Sequence, residues 1–153
     1  MSFMSSEQSR RDAFKLAGLA GLSLLVASPA SATPEEVASA IGKVYGDKKF
    51  ASGKIKMDVP EIAENGLVVP INVEVESPMT DADYVKAVHV YAEGNPLPNV
   101  ISYKFTPACG KASASARMRL AQTQDVVCIA EMSDGSLYKA KATIKVTIGG
   151  CGG

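Results

Sequence analysis

Histidine is almost absent from this sequence: among its 153 residues, His89 stands alone. A metal site in a protein needs three or four ligands, and a Ser-His-acid triad needs a histidine beside a nucleophile. The sequence shows neither a set of metal ligands nor such a triad. Because His89 alternates with Val88 and Val90 as a strand residue would, we interpret it as a surface or satisfied core residue. We therefore predict no metal site, no catalytic residue and no cofactor.

An excess of either charge is also lacking, since sixteen basic residues balance sixteen acidic ones. Binding of nucleic acid requires a basic surface for the phosphates, so this composition argues against it. The length suits one domain with a core large enough to fold without a metal or many disulfides.

The apolar segment LAGLAGLSLLVA at 16–27 has too few residues to cross a hydrocarbon core of about 30 Å as a helix. It follows Arg10 and Arg11 and precedes the small residues of Ala30-Ser31-Ala32, which is the order of parts in a signal peptide. We predict that residues 1–32 are removed after Ala32. The mature protein is then exported to the periplasm of a bacterium and keeps no membrane anchor.

The Arg10-Arg11 pair resembles a twin-arginine export signal, in which Ser-Arg-Arg is followed by one residue and then phenylalanine. Here Ala13 occupies that place and Phe14 comes one position late. An ordinary secretory signal with two chance arginines is the alternative. Both routes lead to an oxidising compartment, where disulfides persist.

A short helix is predicted at the start of the mature chain, in TPEEVASAIGKVYG at 33–46. Thr33 suits the N-cap, Pro34 the first helical position and Glu36 the capping box, and Gly46 ends the run. The apolar face that we expect to be buried consists of Val37, Ala40, Ile41 and Val44.

From residue 54 the apolar pattern changes to a period of two, which indicates half-buried strands. In the clearest, 138–148, apolar residues alternate with lysine and threonine, and SDGS at 133–136 predicts a hairpin that pairs it antiparallel with 126–132. About seven short strands predict an all-β fold. We expect an immunoglobulin-like antiparallel β-sandwich over residues 33–148, with the short helix at its N-terminus.

Three cysteines follow the predicted cleavage site, so pairing leaves one over. A hairpin would bring Cys109 and Cys128 together, and a structural disulfide between them would stabilise the fold by about 3 kcal/mol in the chain-entropy model. A redox-active pair is the alternative, but the two lack the CxxC spacing typical of such pairs.

The odd cysteine is Cys151, in the terminal sequence GGCGG at 149–153. No helix or lysine follows in the spacing of a phosphate-binding loop. Gly149, Gly150, Gly152 and Gly153 add no side-chain width, so we predict a thin, flexible arm with a reach of about 10 Å beyond Ile148. Such an arm can enter a narrow channel in another protein.

The terminal VTIGGCGG at 146–153, preceded by SDGS and an alternating strand, resembles the C-terminus of the SoxY family. SoxY proteins are the sulfur-carrier subunits of the thiosulfate-oxidising Sox system. The resemblance implies that Cys151 attaches sulfur species covalently and that separate Sox enzymes perform the chemistry, so the carrier itself is not an enzyme. It also implies a heterodimer with a SoxZ-like subunit and transient docking to the enzymes of the pathway.

A secreted structural β-sandwich domain whose Cys151 forms an intermolecular disulfide is the alternative from another class. Such an anchor has no need of two glycines on each side of the cysteine. A thiol oxidoreductase is a third possibility, which the absence of CxxC and of a helix beside the thiol disfavours.

Overall fold

The computed structural model describes residues 31–150. The predicted signal peptide lies outside the described residues except for Ser31 and Ala32, and so do Cys151, Gly152 and Gly153. The Ala32 N–H donates a hydrogen bond of 2.6 Å to the Asn95 carbonyl, and the Ser31 hydroxyl donates one of 2.8 Å to the Gly94 carbonyl. No helix within 31–150 is long and apolar enough to span a membrane.

The N-terminal helix, α1, runs from Pro34 to Tyr45. Its capping box is formed as predicted: the Glu36 N–H donates to Thr33 Oγ1 at 3.3 Å, and the Thr33 N–H donates to Glu36 Oε2 at 3.1 Å. Gly46 ends the helix with a φ of 62°, a conformation that favours glycine.

The buried face of α1 differs from the predicted one at its end. Val37, Ile41 and Tyr45 are buried, whereas Val44 is 61% exposed. The spacing of four residues keeps the first three on one stripe, and the Tyr45 ring packs edge-on against Phe50 with 6.1 Å between centroids. The prediction that Val44 is buried was therefore wrong.

The strands form two sheets, which confirms the predicted all-β sandwich. The larger sheet has the order β1-β9-β8-β5-β6, with β3 also paired to β9, and the smaller sheet has the order β2-β4-β7. The nine strands of the described residues are β1 Phe50–Ala51, β2 Ile55–Asp58, β3 Ile62–Asn65, β4 Val69–Val75, β5 Val85–Ala92, β6 Asn99–Lys104, β7 Ala112–Met118, β8 Gln124–Met132 and β9 Leu137–Ile148.

Two pairings depart from the expected antiparallel pattern, because β1 and β3 pair in parallel with opposite ends of β9. Their two and four residues are too short for a period to show in the sequence. The hairpin between β8 and β9 is confirmed: the strands are antiparallel, and the Ser136 N–H donates to Asp134 Oδ1 at 2.8 Å in the turn. The long β9 thus runs beside β3 up to its last residue.

Strand β8 is buried on both faces and so joins the two parts of the core. Val126 and Ala130 face the smaller sheet, while Val127 and Ile129 pack under α1. Burying a side chain such as Ile129 stabilises the fold by about 1.5–3 kcal/mol. This double burial fixes the position of the adjacent β9, from which the C-terminal arm extends.

Candidate functional site at the C-terminal arm

The base of the arm is bound to the sandwich by a chain of backbone hydrogen bonds. Parallel pairing of β3 with β9 places Asn65 beside Ile148. The next residue, Gly66, donates from its N–H to the Ile148 carbonyl at 2.7 Å and accepts at its carbonyl from the Leu120 N–H at 2.8 Å. The Gly150 N–H then donates to the Leu120 carbonyl at 2.8 Å. We call these contacts of Gly66, Leu120 and Gly150 the glycine clamp.

The glycine clamp leaves no room for side chains where the backbones meet. A Cβ on Gly66 would run into the Leu120 carbonyl oxygen, and it would also lie 2.8 Å from the Gly150 nitrogen and 2.9 Å from Val146 Cγ1. A Cβ on Gly150 would run into the Gly66 carbonyl group, and one on Gly149 into the Ala121 carbonyl oxygen. Real Cβ atoms essentially never approach other atoms closer than 3.0 Å. All three positions therefore require glycine for close packing.

Gly149 and Gly150, the first two residues of the predicted flexible arm, contact the sandwich, while the flexibility of the arm stays a prediction. Both residues are packed against the loops at 66–67 and 120–121, and the part of the arm beyond the clamp begins at Cys151. Sequence reasoning missed Gly66 altogether. The signal that could have found it is the Asn65-Gly66 pair between two strand-like runs, a typical turn sequence.

A buried polar network holds the loop that supplies Leu120. Asn95, only 6% exposed, donates from Nδ2 to the Arg119 carbonyl at 2.7 Å and accepts at Oδ1 from the Ala121 N–H at 3.0 Å. Its Oδ1 also accepts from Gln124 Nε2 at 3.0 Å. The side-chain amide of Asn95 thus binds the backbone of the residues on both sides of Leu120. Nothing in the sequence distinguished this asparagine from the surrounding turn residues.

Apolar side chains are exposed beside the clamp. Leu67 is 47% exposed, Val68 55% and Ile148 66%. Leu67 follows Gly66 directly, and the Ile148 carbonyl accepts the hydrogen bond from the Gly66 N–H. The surface from which the arm emerges is therefore partly apolar.

The predicted disulfide between Cys109 and Cys128 is absent, since both are free cysteines. Cys128 is fully buried in β8, and burial raises the pKa of its thiol to about 12. Cys109 is exposed in a single 3-10 turn, Pro107–Cys109, with its Sγ 3.8 Å from Thr106 Oγ1.

The pairing was wrong because the assumed hairpin does not exist. The strand that follows the Cys109 turn, β7, belongs to the smaller sheet, whereas β8 belongs to the larger one. The strand before the turn, β6, is separated from β8 by β5. Neighbouring strands lie about 4.8 Å apart, so two strand spacings intervene on that side.

His89 has a local structural partner. Its Nδ1 lies 2.8 Å from Ser102 Oγ on the neighbouring β6, and burial lowers the pKa of its ring. Across residues 31–150, no three His, Cys, Asp or Glu side chains lie together as the ligands of a metal ion would.

The protein is a β-sandwich whose last strand, β9, is followed directly by the sequence GGCGG, in which glycines flank Cys151. The chain belongs to the SoxY family: the family model described as "Sulfur oxidation protein SoxY" matches residues 41–151. This confirms the resemblance found in the C-terminal sequence. The protein is thus a component of the Sox system of sulfur oxidation, and its partners are those of that pathway.

Solved structures agree with this assignment. The sulfur carrier protein SoxY from Chlorobium limicola f thiosulfatophilum has a TM-score of 0.62 and 31% sequence identity, over 74% of this chain and 98% of that one. The superoxide reductase (neelaredoxin) from Ignicoccus hospitalis has a TM-score of 0.55 and 21% identity, over 75% of this chain and 94% of that one. The second likeness shows a shared fold alone. No curated protein matches the chain.

Proposed function

We propose that this protein carries sulfur intermediates covalently on Cys151 during periplasmic oxidation of thiosulfate and related sulfur compounds. The observation that carries the proposal is the extent of the family match, which runs along the sandwich and through the clamp to Cys151 itself. The matched Chlorobium protein is described as a sulfur carrier, in agreement with this role.

The loading step forms one sulfur–sulfur bond. The Cys151 thiol loses its proton, its sulfur joins the sulfane sulfur of thiosulfate, and two electrons leave to an oxidoreductase of the pathway. The product is a cysteine S-thiosulfonate. Attack of water on its sulfonate sulfur breaks the bond between the sulfane and sulfonate sulfurs, releases sulfate and two protons, and leaves a persulfide anion on Cys151. Thiols suit this chemistry because sulfur–sulfur bonds are made and broken by exchange at sulfur.

Neither of the other two cysteines is placed to carry a substrate on an arm. Cys128 is buried, and its raised pKa leaves almost no thiolate at neutral pH. Cys109 is exposed, but it lies in a turn closed by the hydrogen bond from the Cys109 N–H to the Thr106 carbonyl. The chain acts as a carrier without a cofactor, and the groups that activate the thiol belong to the partner enzymes.

The proposed permanent partner is a SoxZ-like subunit. Strands β2, β6 and β7 end their sheets and leave backbone groups that another sandwich can cover. A stable complex would bury more than about 1,000 Å². Size-exclusion chromatography of the two subunits mixed should give one heterodimer peak, and separate elution at micromolar concentration would contradict the pairing.

The carrier role is tested by replacing cysteines in the reconstituted pathway. Cys151→Ser is expected to abolish thiosulfate-dependent turnover, and Cys109→Ser, the matched control, to retain it. In protein purified from its native periplasm, the intact mass should show sulfur adducts, and peptide mapping should locate them on the C-terminal peptide. N-terminal sequencing of the same protein should begin at Thr33. Turnover that survives in Cys151→Ser would refute the carrier, and a Cys151-linked dimer as the main species would favour a structural role.

A further inference from the structure

One side of β9 is only partly covered by other strands. On this side β1 pairs with Leu137 and Tyr138, and β3 pairs with β9 from Lys145 onward. Between them, no strand of the described residues pairs with 139–144, whereas β8 covers the opposite side along this whole stretch. We call residues 139–144 on this side the open edge. At about 3.3 Å per residue, the open edge has room for an extended segment of about six residues.

Backbone groups of the open edge are available for pairing. Just beyond it, the Lys145 N–H donates to the Glu61 carbonyl at 2.9 Å on the same side. Because backbone groups alternate in direction along a strand, those of Lys141 and Thr143 point to this side as well. An unpaired row of N–H and C=O groups is the template on which a strand from another chain can bind.

The seam between the two sheets is apolar at the open edge. Ala140 and Ala142 are only half-buried, although the residues paired with them on β8 are fully buried. Ile55 and Met57 of β2, from the smaller sheet, are likewise only partly buried where they pack against the core. A strand added here would therefore cover apolar surface with every second side chain.

The opposite face of β9 carries lysines. Lys139, Lys141 and Lys145 are exposed, and Lys141 is neutralised by Glu93 at 3.1 Å and Asp125 at 2.7 Å. None of the salt bridges found within 31–150 involves the other two lysines. A second copy of β9 would place lysine against lysine, whereas acidic side chains would complement both ends of the open edge.

We propose that the open edge binds, by strand addition, a short extended segment of an enzyme that acts on the carrier, in which acidic residues alternate with apolar ones. This rests on the carrier function proposed above. Six residues are far fewer than the 20–30 or so per side of a stable interface, so the contact suits a transient partner and not a permanent subunit. The open edge also ends about 13 Å along β9 from Ile148, close to where such an enzyme takes the arm.

A synthetic peptide, acetyl-VEVEVE-amide, tests the open edge directly by NMR on the exported protein. Its backbone should supply the hydrogen bonds, and its alternating side chains should supply the specificity. We expect shifted amides along β9 and β2, with hydrogen exchange of the Lys141 and Thr143 amides slowed about fivefold or more. The charge-reversed control, acetyl-VKVKVK-amide, should not bind. No binding at millimolar peptide, equal binding of both peptides, or shifts centred on β6 or β7 would overturn the proposal.

Reversing the two uncompensated charges tests the enzyme as the partner. In Lys139→Glu with Lys145→Glu, each attraction becomes a repulsion, so the KM of a sulfur-loading enzyme for the carrier should rise about tenfold, with kcat retained. Lys104→Glu is the matched control, because Lys104 is exposed on β6, at the other edge of the same sheet. An unchanged KM in the double variant would overturn the proposal.

Size-exclusion chromatography separates the enzyme from the permanent subunit as the occupant. The double variant should still form the heterodimer with a SoxZ-like subunit. Loss of the heterodimer would assign the open edge to that subunit and overturn the proposal. Failure of the carrier function would appear separately, as turnover in Cys151→Ser.

Discussion

Replacing Asn95 by alanine tests whether the buried amide network supports the arm base. Its three hydrogen bonds join the Arg119 carbonyl, the Ala121 N–H and the Gln124 amide. In Asn95→Ala the first two groups lose their partner, whereas Gln124 Nε2 keeps the Gln122 carbonyl at 3.0 Å. The loss is therefore that of two backbone groups and not of three.

The magnitude follows from the cost of unpaired polar groups. Each group left without a partner away from water costs about 1–3 kcal/mol, and both contacts are partly buried. We take the lower half of that range and expect a loss of about 2–4 kcal/mol in the free energy of unfolding. For a domain of this size, about 4 °C in melting temperature corresponds to each kcal/mol, so the drop is about 8–16 °C.

Urea denaturation followed by circular dichroism measures the change directly. Asn72→Ala is the control, because Asn72 is exposed and its hydrogen bond to Asp58 Oδ2 faces solvent. That variant should change the free energy of unfolding by less than about 0.5 kcal/mol. A loss below about 1 kcal/mol in Asn95→Ala would refute the reasoning, since water would then replace the amide at little cost.

Two further predictions concern the thiols and the helix. In a Cys151→Ser background, the exposed thiol of Cys109 should react rapidly with a small disulfide reagent. Cys128 should react only on unfolding, because burial raises the pKa of its thiol. A disulfide-linked Cys109–Cys128 peptide in a non-reduced digest would contradict this. Tyr45→Ala should cost about 3–5 kcal/mol in the free energy of unfolding, and Val44→Ala less than about 0.5. Equal losses in the two helix variants, measured by urea denaturation, would show that the buried face is misassigned.

Much of the local structure was predictable because it depends on neighbours in sequence. The capping box of Thr33 and Glu36 acts over three residues, and the hairpin turn around Gly135 acts over four. The alternation along β9 predicts which residues face the core as far as Val146, whereas Ile148, the last residue of the strand, is 66% exposed. The terminal cysteine and its glycines were sufficient to identify the SoxY family.

The errors came from contacts between residues distant in sequence. Pairing Cys109 with Cys128 required knowing that β7 lies in the smaller sheet, which no local pattern records. The choice of Tyr45 over Val44 depended on where α1 crosses the larger sheet. The helical spacing of apolar residues predicts the width of a buried helix face, but not where along the helix the sheet packed against it ends.

The β-sandwich, the capped helix and the cysteine near the end of the chain could be predicted from the sequence by itself, because each is recognised from residues close to one another in sequence. The tertiary structure alone decided how the residues before that cysteine contact the sandwich. Gly66 is far from Gly150 in the chain and lies beside it because β3 pairs in parallel with the end of β9, and Leu120, between β7 and β8, binds both. At Gly66, Gly149 and Gly150 the backbones approach other backbone atoms too closely for a side chain, which the sequence alone did not indicate.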